Sequence, residues 1–483
     1  MDIVKIQKIN ELHNKIHCEP WLAKELDQFF TFKVPGHQFT PQYKAGVWNG
    51  EIHLFNQQTR LIYGGLNYYI ESFCNERQYE VEYLSDFSQR EFSLLEANEF
   101  IDSLNIPSQM ERREYQVQAF AHAVRNSRSL LISPTASGKS FIIYLITRFF
   151  NTKTLIITPT TSLVLQLYSD FQSYGFDSDK YCHKSTSGGV AEADKQIIIT
   201  TWQSIYNYPK KWFKQFNMVI GDEAHSFKAK SLTGIMTSLD TCKYRFGFTG
   251  SLDGTQTHKL VLEGLFGPQK RVTTTHELIE QNHLSKFRIK CIILKHSEEV
   301  RKLISTKTYQ EEIDFLVQNE KRNKFLQNLS LSLKGNTLLL FQYVEKHGKI
   351  LYSNIQKSVE QGRSVYFVHG GVEGEDRESI RKLVEMEENA IIIASYGTFS
   401  TGVNIKNLHN IIFASPSKSR IRNLQSIGRG LRKGDNKQKC TLFDIADDIQ
   451  HNKKKNFTLQ HFVERMKIYN EEKFESKIYT VTI

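Results

Sequence analysis

Residues 130–140 read Leu-Leu-Ile-Ser-Pro-Thr-Ala-Ser-Gly-Lys-Ser, and the apolar run Phe141-Ile-Ile-Tyr-Leu-Ile146 follows at once. The first residues spell a short buried strand, the middle a loop and the last a buried helix. Strand, loop and helix in that order make a phosphate cradle, because backbone N–H groups and the helix N-terminus point at the anion. In such a cradle Pro134, Thr135, Ala136, Ser137 and Gly138 form the loop, the Lys139 ammonium reaches the β- and γ-phosphates, and the Ser140 hydroxyl ligates Mg²⁺. Ser133 stands where the usual pattern begins with glycine. Gly138 is then the main position left for a positive φ or a close backbone approach.

The flanking segments fit a nucleotide site. Arg113-Glu-Tyr-Gln116 opens a helix upstream, and Gln116 can read an adenine edge with its paired donor and acceptor. Residues 154–158 are a second apolar strand, followed by Pro159-Thr160-Thr161-Ser162. Hydroxyls and free N–H groups there can bind a nucleic-acid phosphate, or cap the next helix. A third strand covers 196–200. The fourth, 217–222, runs into Asp222-Glu223-Ala224-His225. In a nucleotide site Asp222 holds Mg²⁺, directly or through its water, and Glu223 polarises the attacking water as general base. His225 is placed to link this site to a strand-binding face. A fifth strand ends in Thr249-Gly250-Ser251, whose hydroxyls are placed to sense the acidic pair.

The second half repeats the alternation. Apolar strands at 337–341, 364–368, 390–394, 410–414 and 440–444 are spaced by helix-sized intervals, after a crossover at 265–282 and a helix over 311–333. Alternating strands and helices predict βαβ units with a parallel sheet and ligands at the carboxyl ends of the strands. This half carries no phosphate loop, so it completes a site rather than owning one. Arg429 and Arg432 lie three apart, on one helical face, where they can neutralise charge developing on a γ-phosphate. Beyond Gln450 the expectation is a solvated basic tail or helix, with phosphate contact as the alternative.

Residues 1–107 differ in character. A strand is expected at 4–9 and a helix at 19–30, with Pro20 in its first turn. Asn49-Gly50 predicts a hairpin turn between 47–48 and 52–55. A helix over 91–104 ends in the linker 105–107. Tyr43, Lys44 and Trp48 mix aromatic and cationic groups, as single-strand and branch-binding surfaces do. A core position is the competing reading for Tyr43 and Trp48.

Composition narrows the partner. The 483 residues carry a formal net charge of +11, which favours an anionic partner, nucleic acid first. The six cysteines are scattered with no C-x-x-C pair, against zinc and iron–sulfur sites and in favour of reduced thiols. No signal-peptide h-region and no membrane-length apolar run is present.

Taken together, Tyr115-Gln116, residues 134–140, residues 222–225 and residues 249–251 resemble motifs Q, I, II and III of superfamily 2 helicases. Residues 395–404, Ser-Tyr-Gly-Thr-Phe-Ser-Thr-Gly-Val-Asn, resemble motif V, with Thr398, Thr401 and Gly402 in its pattern. Residues 425–432, Gln-Ser-Ile-Gly-Arg-Gly-Leu-Arg, resemble motif VI, with Gln425, Arg429 and Arg432 in place. The module with Lys44-x-Gly-x-Trp48-Asn-Gly ahead of two motor domains is similar to the phage recombination helicases. The resemblance implies an α/β fold of two RecA-like parallel-sheet domains preceded by a small α+β N-terminal domain, divided at 1–107, 108–282 and 283–483. It implies ATP and Mg²⁺ at Gln116, residues 134–140, Asp222, Gly402, Arg429 and Arg432. It also implies DNA contacts at Pro159, Thr160, Thr161, Thr398, Lys44 and Trp48. Its expected substrates are branched DNA and single-strand/duplex junctions, with RNA in R-loops. A monomer acting in the cytoplasm of a phage host, away from membranes, is expected. An RNA helicase and a double-strand translocase of a restriction system remain open alternatives.

Overall fold

Five apolar segments of the first half form the strands Arg128–Ile132, Thr154–Thr158, Ile197–Thr201, Met218–Asp222 and Tyr244–Thr249. Their interior residues are almost all buried, which is why they read as continuous apolar runs rather than alternating ones. In the computed structural model, residues 2–185, 194–252, 254–400, 405, 407–415, 419–431, 439–452 and 455–483 are described. Among these, all pairings in the first large sheet are parallel, and two edge strands, Cys182–Ser185 and Gln269–Arg271, extend it. All three residues of Gln269–Arg271 are exposed, so hydrophobicity could not announce that strand.

The second large sheet contains Thr337–Phe341, Val365–Val368, Ile391–Ser395, Asn410–Phe413 and Lys439–Asp448. It also contains Lys286–Lys295 and Glu475–Thr482, again all parallel. The expectation of a solvated basic tail or helix past Gln450 is met in the helix and corrected in its solvation, since one face of that helix is buried. Residues past Gln450 form the helix Phe457–Glu471 and an edge strand, held by the buried Arg465, whose Nε and Nη2 donate to Asp444. The helix expected over 311–333 is two helices, Tyr309–Gln318 and Glu320–Ser332. The Asn319 side chain caps the second by accepting from the Arg322 N–H.

The chain resolves into two compact units, one of Met1–Ser133 and Gly138–Val272, the other of Pro134–Ser137 and Thr273–Ile483. Among the described residues no helix is long and apolar enough to cross a membrane.

Within the first unit the N-terminal residues build a mixed sheet in the order Leu61–Tyr63, His13–His17, Ile3–Lys8, Glu80–Tyr83. The helices Pro20–Phe29 and Asn67–Glu76 pack on it through Leu22, Leu26, Ile70 and Phe73. The Asn49-Gly50 hairpin does not form. Thr40 and Pro41 instead start a helical turn, Pro41–Lys44, and the Asn49 side chain accepts from the Glu51 N–H. Strand Glu51–His53 pairs antiparallel with Thr31–Lys33, a more distant partner.

This module shares its core with the first parallel sheet. Leu12 is buried among Leu130, Leu155 and Leu265, while Leu260 is buried among Ile62, Leu66 and Ile70. Each such side chain contributes about 2 kcal/mol of burial. Gly65 passes so close to the helix Gln256–Phe266 that an added Cβ would lie 1.9 Å from the Glu263 carbonyl oxygen.

Candidate nucleotide site

The loop after strand Arg128–Ile132 turns on two left-handed residues, Ala136 (φ 66°) and Gly138 (φ 78°). Gly138 was expected there; Ala136 was not, and its conformation is strained for a residue with a Cβ. The Ser137 hydroxyl closes the loop by donating to the Pro134 carbonyl at 2.7 Å. Gly138 is favoured by its φ, and a Cβ there would lie 2.3 Å from Gln116 Nε2, so the Gln116 amide would have to shift. Gln116 is buried, and its Oε1 accepts from the Arg113 N–H at 3.0 Å. Its carbonyl is thus engaged by the start of its own helix, and its amide nitrogen lies against Gly138.

Lys139 begins the helix Lys139–Phe150, and its Nζ lies 3.8 Å from Glu223 Oε1. Glu223 follows strand Met218–Asp222 with φ 51°, a conformation costing on the order of 1–3 kcal/mol and found where function demands it. Its N–H donates to Asp222 Oδ1 at 2.9 Å. Burial pushes the Asp222 carboxyl above its ordinary range and the Glu223 charge adds to that rise, while Lys139 opposes both.

His225 Nδ1 lies 3.4 Å from Glu223 Oε2 and 3.0 Å from Thr249 Oγ1. The Thr249 hydroxyl donates to the Ser251 carbonyl at 2.9 Å, so its oxygen accepts from His225 and the imidazole proton belongs on Nδ1. Thr249 therefore reaches the acidic pair through His225 rather than directly. The buried His258 Nε2–H donates to the His225 carbonyl at 2.9 Å. The Ser140 hydroxyl shares a 2.8 Å hydrogen bond with the Tyr174 hydroxyl. Tyr174 and His258 carry no sequence motif; both join the site from more than thirty residues away.

The other expected residues are placed as follows. Thr160 caps the helix Thr161–Ser173, accepting from the Leu163 N–H, with Pro159 half-buried and Thr161 exposed. Lys44 is exposed and Trp48 is half-buried, its indole N–H donating to the Glu51 carbonyl. Neither Tyr43 nor Trp48 belongs to a buried core cluster. Thr398 is buried, its hydroxyl bonded to that of Ser395, so it offers no surface to a strand in this conformation. Gln425 and Arg429 fall on the helix Arg420–Gly430. The Arg429 side chain, Thr401, Gly402 and Arg432 lie outside the described residues.

Known proteins match the chain along its length. Residues 4–84 match the family described as DNA helicase UvsW, N-terminal, residues 109–253 the type III restriction enzyme res subunit, and residues 320–434 the helicase conserved C-terminal domain. The ATP-dependent DNA helicase uvsW of Enterobacteria phage T4 is 34% identical over 509 residues, covering 100% of both chains. This chain belongs to the UvsW helicase family. The crystal structure of T4 UvsW aligns over 100% of both chains with a TM-score of 0.51 and 33% identity. A DNA 3'-5' translocase, XPB2 of Sulfurisphaera tokodaii, is 27% identical over 42% of this chain and 45% of its own. The UvsW family assignment makes this chain an ATP-dependent helicase, with the two parallel sheets as its RecA-like domains.

Proposed function

We propose that this chain couples ATP hydrolysis to the unwinding and remodelling of branched DNA. The observation that carries the reading is the grouping of Lys139, Asp222, Glu223 and His225 beyond the carboxyl ends of two parallel strands of one sheet, Arg128–Ile132 and Met218–Asp222, with Lys139 3.8 Å from Glu223. The UvsW-type N-terminal module supports branched DNA over the RNA and restriction-translocase alternatives.

Lys139 binds the β- and γ-phosphates, and its contact with Glu223 is exchanged for the nucleotide. Glu223, held by His225, takes the proton of the attacking water. Mg²⁺, with Ser140 and Asp222 as its protein partners, would neutralise phosphate charge; the hydroxyl and carboxylate are a fitting hard-oxygen set. Arg429 and Arg432 of the second lobe stabilise charge on the transferred phosphoryl group. Loss of the γ-phosphate removes what those arginines hold, and the lobes change their grip on the strand. The division at 1–107, 108–282 and 283–483, a monomeric state and action in a phage-infected cytoplasm belong to the same proposal.

Lys139→Ala tests it. DNA-stimulated ATP hydrolysis falls by at least about a thousandfold while fork binding persists, since phosphate stabilisation is the dominant catalytic term. Stimulated hydrolysis near the parent rate in that variant would overturn the assignment.

A further inference from the structure

The first unit contains a second concavity, outside the nucleotide site. An open cavity of about 310 Å³ lies on the seam between the N-terminal module and the parallel-sheet domain, lined by Tyr69, Leu252, Gly254, Thr255, Gln256 and Lys259. That volume is at the low end of the roughly 300–1,000 Å³ of ligand pockets, suited to one small planar group rather than a duplex.

Its lining is of three kinds. Tyr69, from helix Asn67–Glu76, supplies an aromatic ring that is fixed in place, because its hydroxyl donates to Glu263 Oε2 at 2.6 Å across the seam. Tyr68 beside it is 64% exposed and meets Tyr69 edge-on at 5.6 Å, so aromatic surface continues out of the cavity. Leu252 adds an aliphatic face, and the exposed Gln256 an amide with both donor and acceptor. The Lys259 ammonium sits 5.8 Å from the Tyr69 ring centroid, at the outer limit of cation–π attraction, so it is weakly held and available to an anion. A stacking ring, an edge-reading amide and an ammonium are the complement of a base and its phosphate.

We propose that this seam cavity holds one unpaired nucleotide of a branched DNA substrate, its base against Tyr69 and Leu252, its edge at Gln256 and its phosphate at Lys259. The proposal rests on the branched-DNA reading above and adds the place where unpairing is sensed. A base in duplex DNA has both faces stacked and cannot enter; a base freed at a branch can.

The cavity wall also leads to the nucleotide site. Thr255–Lys259 start the helix Gln256–Phe266, and His258 in that first turn donates to the His225 carbonyl, whose ring lies 3.4 Å from Glu223. A nucleotide seated on this turn bears on the residue that holds the general base. A captured unpaired nucleotide thereby raises hydrolysis.

The experiment compares a fork carrying unpaired nucleotides at its branch with a blunt duplex of equal length, by fluorescence anisotropy. Gln256→Ala combined with Lys259→Ala lowers fork affinity about tenfold, the scale of losing one base-edge hydrogen bond and one phosphate contact, with blunt-duplex affinity changed less than about twofold. Photo-cross-linking with 5-iodouracil at the branch labels Tyr69 in the parent protein when that base is unpaired, and does not when it is paired. The cross-link uses the unaltered chain and is independent of how any variant folds. Equal losses on fork and duplex, or no loss on the fork with no label at Tyr69, overturn the cavity's role while the branched-DNA reading stands. A parent protein with no preference for the fork overturns both.

Discussion

The two lobes place buried arginines at comparable depth and neutralise them by different means. In the first, Arg245 is fully buried and donates to three carbonyl oxygens, of Leu265 and Leu239 at 2.7 Å and Met236 at 3.1 Å. Those carbonyls end the helices Lys230–Ser238 and Gln256–Phe266, so one guanidinium serves two helix C-termini, which carry partial negative charge. Burial still draws its proton affinity below the ordinary arginine range. In the second lobe Arg322 and Arg465 meet carboxylates on one strand, Lys439–Asp448: Asp447 at 3.0 Å and Asp444 at 2.8 Å. Burial works against the charge of Arg465, but Asp444 more than offsets it. Burial likewise opposes charge on Asp447, yet Arg322 and His296 hold its carboxyl below the usual range. A buried cation can be carried by backbone alone or by paired side chains, and only the second arrangement can be rewritten by substitution.

The strongest test of that difference is in the second lobe. Asp444→Asn leaves Arg465 charged, buried and without its counter-ion, and Tyr469, which donates to the same carboxylate at 2.8 Å, loses its ionic acceptor. The expected loss is about 3–5 kcal/mol in denaturant unfolding, and pairing Asp444→Leu with Arg465→Met recovers most of it. In the first lobe Arg245→Met strands three carbonyls at a cost of about 3 kcal/mol. No second side-chain change recovers that loss, because the acceptors are main chain. Full recovery by any neighbouring substitution would break the comparison.

The smallest effect is a pH dependence. Burial, reinforced by the nearby Arg322 charge, lowers His347 from its ordinary 6.5 to about 3. The native state stays neutral there while the unfolded chain takes up a proton. Stability is therefore full above about pH 6.5 and falls as pH drops toward 3, by about 2 kcal/mol at pH 5. His347→Gln flattens that part of the stability–pH curve. An unchanged slope between pH 7 and 5 would show that His347 is not its source.

Most strands of the two parallel sheets were legible because burial on both faces forces unbroken apolar runs. Two strands at one side of the second sheet were not: Lys286–Lys295, although it lies between Lys439–Asp448 and Glu475–Thr482, is buried at only about every second residue, and the edge strand Glu475–Thr482 is mostly exposed, so neither carries such a run. Asn49-Gly50 misled for a related reason: it has the chemistry of a tight hairpin turn, but pairing of Glu51–His53 with Thr31–Lys33 outweighs the local preference. At the candidate nucleotide site the loop and the placing of Lys139 beside the acidic pair could be read because phosphate chemistry restricts which residues work at a fixed spacing. Tyr174 on Ser140, His258 on His225 and the Gln116 amide behind Gly138 could not.

The order of residues alone determined the phosphate loop, the alternation of strands and helices, and the position of the acidic pair after its strand, since each depends on neighbours within a few residues. Only the tertiary structure decided that the N-terminal module shares a core with the first lobe, that the C-terminal segment is an edge strand, and that Tyr69 and Lys259 form one cavity. Those features depend on contacts between residues far apart in the chain, where burial and hydrogen-bond geometry, rather than local preference, select the partner.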